Sequence, residues 1–245
     1  MRSKVILFSI FTFSVSMIAF SSLETNEPDY VALKASEQII IDGYANEPTW
    51  KSSRSYKIDN RWLGAPYTSE DFSGSFKISW NEDYLFLLAE IRDDSLINIY
   101  EGLKQYWNDD ILEIFIDEDA SGGNHQYNFN AFAYHIDKNL DVIDIGIDSA
   151  AHLFNDHVIT KYTKTGDLYV WEAAISIFDD TFDRNSANEP VVLRTGKQMG
   201  FALAYCDNDT SALRENFIGS EKVTGDDKNR GWIDANVFGL LELRN

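Results

Sequence analysis

The sequence predicts an all-β protein, an antiparallel β-sandwich of about ten strands of immunoglobulin-like or jelly-roll type. From about Ile39 onwards, apolar residues recur in short runs with a period of two, the pattern of strands that bury one face. Clusters of Gly, Asn and Asp separate these runs, and helical periodicity is scarce. Many short strands with turn residues between them are typical of a sandwich.

The predicted strands follow one another along the whole domain. The second and third form a hairpin, because the polar trio Asn81, Glu82 and Asp83 between them is suited to reversing the chain. Four long irregular stretches, at 59–73, 94–109, 179–195 and 207–237, are candidates for functional loops. The strands are predicted at residues 38–41, 74–80, 84–92, 111–117, 127–135, 142–146, 157–162, 168–177, 199–206 and 239–243.

The N-terminus has the pattern of an export signal. Arg2 and Lys4 precede an uncharged apolar run, which ends at the small-residue exit around Ser21. A membrane anchor is the alternative, but a span usually needs about 20 apolar residues. We therefore expect residues 1–22 to be a cleaved signal peptide, 23–37 a flexible polar leader, and 38–245 the domain. The mature protein is expected to be secreted or periplasmic, with no membrane attachment.

The amino-acid composition limits the kinds of molecule that the protein can bind and the ways in which its fold can be stabilised. The net charge of −19 becomes −21 when Arg2 and Lys4 are removed with the signal peptide. Nucleic acid is excluded as a partner, since its phosphates require a basic surface. Cys206 is the single cysteine, so no intrachain disulfide forms; a chain with 44% hydrophobic and 14% aromatic residues can be held together by its core. We expect a monomer.

Four segments, 39–50, 77–96, 106–119 and 229–243, resemble those of family 9 carbohydrate-binding modules, within the DOMON-like β-sandwich superfamily, in the same order and spacing. The resemblance covers nearly the whole mature chain, and the segment 106–119 is its most specific part. It implies a β-sandwich in which a sugar is held between two tryptophan rings, matched here by Trp107 and Trp232.

Sequence context separates these two tryptophans from the others. Trp107 and Trp232 lie among polar loop residues, where an indole ring offers a rigid surface for the apolar face of a pyranose. The alternative is that they plug an end of the sandwich. The tryptophans expected to be structural are Trp50, Trp80 and Trp171, and the role of Trp62 is left open.

Polar contacts are assigned through the resemblance and by strand alternation. Glu113 matches a sugar-contacting carboxylate of the family, and alternation directs it away from the core. Asn130 falls where a relative has a sugar-binding Arg, and Asn229 falls on another polar contact. Ala204 also departs from the family, in which a relative has an amide side chain at that position. Replacing Arg by Asn removes a bidentate donor, so the hydroxyl pattern recognised is expected to differ. Arg214, in a nearby loop, is a candidate to restore a donor.

Several acidic turns offer the oxygen ligands that calcium prefers. The resemblance makes structural calcium plausible, but each turn alone is compatible with an ordinary polar loop, and no ligand is assigned. The turns are 93–94, 109–110, 117–119 and 207–209. The four histidines show no zinc-ligand spacing with Cys, so zinc is not expected. Haem ligation through Met and His is not expected either, because Met199 is the one methionine left after signal cleavage. No organic cofactor is expected.

The predicted function is binding of a polysaccharide or oligosaccharide during carbohydrate breakdown or uptake, without catalysis. One alternative is a glycoside hydrolase, whose carboxylates would stand about 5–9.5 Å apart. Asp110 and Glu113 point to opposite faces, and Glu113 and Asp117 lie about 13 Å apart along the strand, so neither local pair fits. Carboxylates distant in sequence could still converge. A surface adhesion domain that binds other proteins is the second alternative.

Overall fold

The computed structural model describes residues 27–100 and 102–245, and within these ranges the protein is almost entirely β-structure. Its regular elements there are fourteen strands, one short helix (α1, Pro48–Ser52) and three 3-10 turns (Tyr106–Asn108, Arg230–Trp232 and Ala235–Val237). The strands are β1 Tyr30–Lys34, β2 Ser55–Ile58, β3 Asn60–Gly64, β4 Phe72–Trp80, β5 Leu85–Asp93, β6 Ile111–Asp117, β7 Phe132–Ile136, β8 Val142–Ile145, β9 Ala151–Leu153, β10 Val158–Thr165, β11 Leu168–Ile175, β12 Gln198–Asp207, β13 Asn216–Gly219 and β14 Gly239–Arg244.

The all-β prediction is confirmed, with more strands than the ten expected. The predicted hairpin is β4–β5, paired from Phe72 with Asp93 to Trp80 with Leu85. The side chain of Asn81 accepts hydrogen bonds from two backbone N–H groups of the turn, which fixes the reversal.

Hydrogen bonds link the strands in the order β10-β11-β5-β4-β1-β14-β12-β6-β7-β8-β9, and β13 joins β12 to β3. The two halves of this order pack face to face. Phe72 and Phe76 of β4 contact Tyr205 and Phe201 of β12, with ring centroids 5.3 and 5.8 Å apart. The main core lies between these layers and contains the buried Trp80 and Trp171.

One correction concerns the predicted leader at 23–37. Its residues 30–34 are β1, which pairs in parallel with β14 on one side and with β4 on the other. Tyr30 and Ala32 are buried in the main core. This segment is short and its flanking residues are polar, but the edges of β14 and β4 supply the hydrogen bonds that order it. The sandwich is therefore not purely antiparallel.

One predicted strand and one predicted strand boundary are also wrong. Residues 38–41 are not a strand; the N–H of Ile40 bonds instead to the Glu47 carboxylate. The strand predicted at 127–135 begins only at Phe132, because Tyr127 has a left-handed backbone (φ 59°) that no strand accommodates. Besides β1, the strands that the sequence analysis missed are β2, β3, β9 and β13.

The predicted signal peptide, 1–22, lies outside the described residues. In the ranges 27–100 and 102–245, no helix has the length and apolar character needed to cross a membrane.

A second, smaller core covers the outer face of the layer that contains β6 and β12. Alternation along β6 sends Leu112 and Ile114 to the main core and Ile111 and Phe115 to this second core. Glu113 therefore faces outward, as predicted. The role left open for Trp62 is structural, since its ring is buried in the second core and its Nε1 donates to the Glu221 carbonyl at 2.7 Å.

Candidate functional site

A cleft of about 270 Å³ opens on the outer face of β6 and β7. Two 3-10 turns carry its aromatic walls, and the loop after β12 supplies its polar side. The lining residues are Tyr106, Trp107, His135, Ile145, Arg214, Asn229 and Trp232. Trp107 is 39% exposed, whereas Trp50, Trp80 and Trp171 are each 1% exposed. The predicted division between loop and core tryptophans is confirmed as a difference in burial.

The turn that carries Trp107 is anchored from both sides. The Asn108 carbonyl accepts a hydrogen bond from Asn208 Nδ2 at 2.6 Å, and the Asp109 carboxylate accepts the backbone N–H groups of Ile99 and Tyr100. The ring of Tyr106 meets the ring of Trp107 edge to face at 5.2 Å. These contacts hold an exposed indole in one orientation.

The turn that carries Trp232 is tied to the segment before β7. His125 Nε2 lies 2.8 Å from the Gly231 carbonyl, and the His125 N–H donates to the Ile233 carbonyl. Gly231 packs against Phe115, where a Cβ atom would approach the ring to 3.4 Å. This contact places the turn next to β6 and sets the position of Trp232 above the floor of the cleft.

A buried ion network lies beneath the tryptophans. Glu113 is 2% exposed, with its Oε1 atom 3.2 Å from His135 Nε2 and 3.6 Å from Arg214 Nη1. Cys206 Sγ donates to the same oxygen at 3.0 Å. Arg214 Nη2 donates to Asn229 Oδ1 at 2.6 Å, which connects the network to the wall of the cleft.

Charge pairing decides the protonation of this network. Burial raises the pKa of Glu113, but His135 and Arg214 outweigh burial, and its pKa lies below the usual value. Burial lowers the pKa of His135, but Glu113 outweighs burial, and its pKa lies above the usual value. Glu113 is therefore held as a carboxylate between two cations, a state suited to orienting neighbours rather than to exchanging protons.

The structure brings most of the predicted site residues together. Trp107, Trp232, Arg214 and Asn229 all line the cleft. Glu113 lies below the floor and reaches the cleft only through its partners. Asn130 is a correction: its backbone is not in a strand, and its Nδ2 donates to the Gly122 carbonyl at 2.8 Å, so the side chain is absent from the cleft lining.

Tyr106, His135 and Ile145 line the cleft but were not among the predicted site residues. Tyr106 precedes Trp107 in the most specific of the four segments, which was an available signal. His135 lies in the strand predicted at 127–135, and pairing that strand with β6 would have directed it to the same face as Glu113, its partner in the β6–β7 register. Nothing in the sequence indicates Ile145.

Three of the four acidic turns meet beside the cleft. Carboxylate oxygens of Asp93, Asp110 and Asp207 lie within 4.8 Å of one another, and those of Asp93, Asp94 and Asp209 form a second such group. Oxygens bound to calcium at 2.3–2.6 Å lie at most about 5 Å apart, so this donor set fits a calcium ion. Asp110 also holds the cleft loops, because its Oδ1 accepts the Asn208 N–H at 2.7 Å.

Burial, together with repulsion between neighbouring carboxylates, raises the pKa values of these groups. Burial and the neighbouring acids Asp93, Asp71 and Asp209 raise the pKa of Asp207 to about 8. Burial, followed by Asp93, raises the pKa of Asp110. Burial raises the pKa of Asp93 as well, although the Tyr205 hydroxyl donates to it at 2.6 Å. A divalent cation would replace the protons that these groups otherwise retain.

A family model described as "Carbohydrate family 9 binding domain-like" matches residues 41–245. The chain belongs to this family. A family 9 carbohydrate-binding module from Caldicellulosiruptor kristjanssonii, solved in complex with glucose, superimposes with a TM-score of 0.64 at 20% identity, over 88% of this chain and 96% of that one. The complex of the same module with cellotriose superimposes with a TM-score of 0.63 at 20% identity, over 88% of this chain and 94% of that one. No curated protein matched the sequence.

The resemblance inferred from four sequence segments is thus confirmed, and so is the β-sandwich that it implied. The family 9 match spans all the elements that build the cleft, from β2 to β14. It begins after β1, the strand that the sequence analysis assigned to a leader.

Proposed function

We propose that this family 9 module binds one neutral sugar unit of a polysaccharide or oligosaccharide between Trp107 and Trp232, and that it does so outside the cytoplasm during carbohydrate breakdown or uptake. The supporting observation is the single cleft that both loop tryptophans line together with Arg214 and Asn229. Indole faces suit the C–H faces of a pyranose, and the polar pair suits its hydroxyl edge.

The expected affinity is modest. Covering about 200 Å² of apolar surface contributes about 5 kcal/mol, and association costs at least about 4 kcal/mol. These terms nearly cancel, so a few hydrogen bonds of about 0.5–1.5 kcal/mol each determine the net result. Dissociation constants of about 1 μM to 1 mM follow.

Arg214 and Asn229 are the best-placed hydrogen-bonding groups. Asn229 Oδ1 already accepts from Arg214, and its Nδ2 has no hydrogen-bond partner among residues 27–100 and 102–245. That nitrogen is therefore a donor for a sugar hydroxyl. The relatives with similar structures were solved with glucose and cellotriose, which makes β-linked glucans the first ligands to test.

Binding is favoured over hydrolysis by the state of Glu113. A glycosidase acid must gain and lose a proton beside the substrate, whereas Glu113 is buried, engaged by His135, Arg214 and Cys206, and held ionised. A protein-binding role would call for a broad apolar patch instead of a narrow cleft.

We further propose that calcium occupies the carboxylate group formed by Asp93, Asp110 and Asp207. The ion would neutralise buried negative charge and fix the loops that carry Trp107 and Arg214. Its role would be structural, because these carboxylates are not among the residues that line the cleft.

Export rests on the signal-peptide pattern of residues 1–22. N-terminal sequencing of protein recovered outside the cytoplasm should begin near Ser22 or Leu23. Recovery of intact Met1 there would contradict cleavage.

A glycan array with and without calcium tests the proposed function. We expect retention of a set of related oligosaccharides, with weaker signals after calcium removal, and no released products after prolonged incubation. A folded, calcium-loaded protein that retains no glycan would contradict the proposal, and release of shortened sugars would favour the hydrolase.

A further inference from the structure

A small side recess adjoins the cleft beside Trp232. Its volume is about 20 Å³, and it shares His135, Ile145 and Trp232 with the cleft. A space of this size holds about one water molecule or one hydroxyl group. The small side chains of Ala131 and Ala133 leave this room, and Asp144 provides a charged group on its wall.

Asp144 is buried but not fully hydrogen-bonded. Its Oδ2 accepts the Ala133 N–H at 3.0 Å, and its Oδ1 accepts the Ile145 N–H at 2.7 Å. A carboxylate can accept about four hydrogen bonds, so each oxygen has capacity for one more. Neither bond to the backbone depends on a ligand, and the carboxylate is therefore preorganised as an acceptor facing the recess.

The surroundings set the charge of Asp144. Burial raises its pKa to about 7, Glu113 acts in the same direction, and His135 opposes both. The other titratable groups around it are Tyr106 and Tyr134, whose pKa values the Asp144 charge raises, His125 and Tyr127 on the recess wall, and His152, its partner in the β8–β9 register. A hydroxyl that donates a hydrogen bond to the Asp144 carboxylate stabilises its ionised form.

We propose that Asp144 is a specificity-determining residue, which accepts a hydrogen bond from the exocyclic hydroxymethyl group of the bound sugar and so selects hexopyranoses over pentopyranoses. This inference rests on the proposed function of the cleft. Ring hydroxyls lie one bond from the ring and point along its edge. The C6 hydroxyl lies two bonds away and can rotate out of the ring plane, so it is the group that can enter a side recess while the ring stays between the tryptophans.

The test compares hexoses with analogues that lack only this hydroxyl. Calorimetric titrations at pH 8, where Asp144 is mostly ionised, would use D-glucose, D-galactose and D-mannose beside D-quinovose, D-fucose and D-rhamnose, their 6-deoxy forms, with D-xylose as the matching pentose. Wild-type protein should bind the preferred hexose about 10-fold more tightly than its 6-deoxy form. The same preference should hold over D-xylose when D-glucose is bound.

Two variants connect the preference to the recess. Asp144→Asn should weaken hexose binding about 10-fold and reduce the hexose-to-deoxyhexose ratio to below about 2-fold, the signature of a direct contact in a double-mutant cycle. Ala131→Val, which fills the recess without touching the carboxylate, should reduce the same ratio. Asp148→Asn, in the exposed β8–β9 loop, is the matched control and should leave the ratio unchanged.

Equal wild-type affinity for hexose and 6-deoxyhexose would overturn the assignment of Asp144 while leaving the tryptophan cleft intact. An unchanged ratio in both recess variants would do the same. If Asp144→Asn does not fold, the wild-type comparison and Ala131→Val still decide the question. Wild-type protein that binds none of these sugars, and none on the glycan array, would instead refute the proposed function.

Discussion

Glu113, His135 and Arg214 connect the buried side of the sheet to the open cleft. The Glu113 carboxylate lies within 3.6 Å of the His135 and Arg214 side chains, and 2% of the Glu113 side chain is exposed. Arg214 also stacks on Phe217, with its guanidinium carbon 4.2 Å from the ring centroid. Because Arg214 donates a hydrogen bond to Asn229, the orientation of Asn229 in the cleft depends on the buried charge of Glu113.

Arg214→Met is expected to cost about 3 kcal/mol of unfolding free energy, since it leaves Glu113 buried with one fewer cation. Arg92→Met is the matched control: its partner Asp167 and Arg92 itself are about half exposed, so this loss should stay below about 1 kcal/mol. Denaturant unfolding measures both. Equal effects would contradict a buried, tightly coupled network.

Among single residues, the sequence identified those whose context was unusual. Trp107 and Trp232 were separable from core tryptophans by their polar neighbours, and alternation placed Glu113 on the correct face. His135 and Asp144 lay in predicted strands but were missed because their roles depend on the pairing of β6 with β7 and of β7 with β8, which alternation within one strand does not give. Asn130 was wrongly placed in a strand because the predicted start of β7 was five residues early.

At the scale of elements, β1 closes the gap between the two layers. It contributes parallel hydrogen bonds to β14 and β4, and Tyr30 meets the rings of Tyr56 and Phe201 at 5.0 and 5.5 Å. Without β1, β14 and the end of β4 at Ser79 and Trp80 would present an unpaired edge. A five-residue strand flanked by polar residues gives little periodicity, so its order comes from the partners rather than from its own sequence.

A variant that begins at Asp29 should unfold with the stability of the mature protein, whereas one that begins at Ser36 should lose at least about 3 kcal/mol. Loss of the buried Tyr30 ring alone accounts for about that amount. Denaturant titration by circular dichroism compares them. Indistinguishable midpoints would mean that β1 contributes nothing to stability.

At the scale of the whole molecule, the acidic group beside the cleft links stability to pH and metal. The folded pKa values of Asp93, Asp110 and Asp207 lie above the 3.8 of an unperturbed Asp. Between about pH 4 and pH 9 the folded state therefore retains protons that the unfolded chain has released. The contribution of these groups to stability in the metal-free protein is present at low pH and is lost as the pH rises through this window.

Calcium should reverse that loss. At 100 times its dissociation constant it adds about 2.7 kcal/mol, or about 5–10 °C in melting temperature for a domain of this size. We expect the increase at pH 8 to exceed that at pH 5, and Asp110→Asn to diminish it. Differential scanning calorimetry with EDTA and with calcium measures the effect. Identical melting curves under both conditions would exclude a structural ion at this site.

The large-scale features followed from the sequence because they depend on repeated signals: period-two runs gave the sandwich, and four ordered segments gave the family. The convergence of three acidic turns did not follow, since Asp93, Asp110 and Asp207 meet only through β5, β6 and β12. Neither did the parallel strand β1.

The central claim is that a sugar ring lies between Trp107 and Trp232. Calorimetry of a Trp107→Ala, Trp232→Ala double variant against the sugar selected on the array tests it most directly, with circular dichroism to verify folding and Leu213→Ala, an exposed apolar residue of the same loop region, as control. We expect binding to fall below detection in the double variant while its fold and the affinity of the control remain unchanged. Unaltered affinity in a folded double variant would contradict the claim.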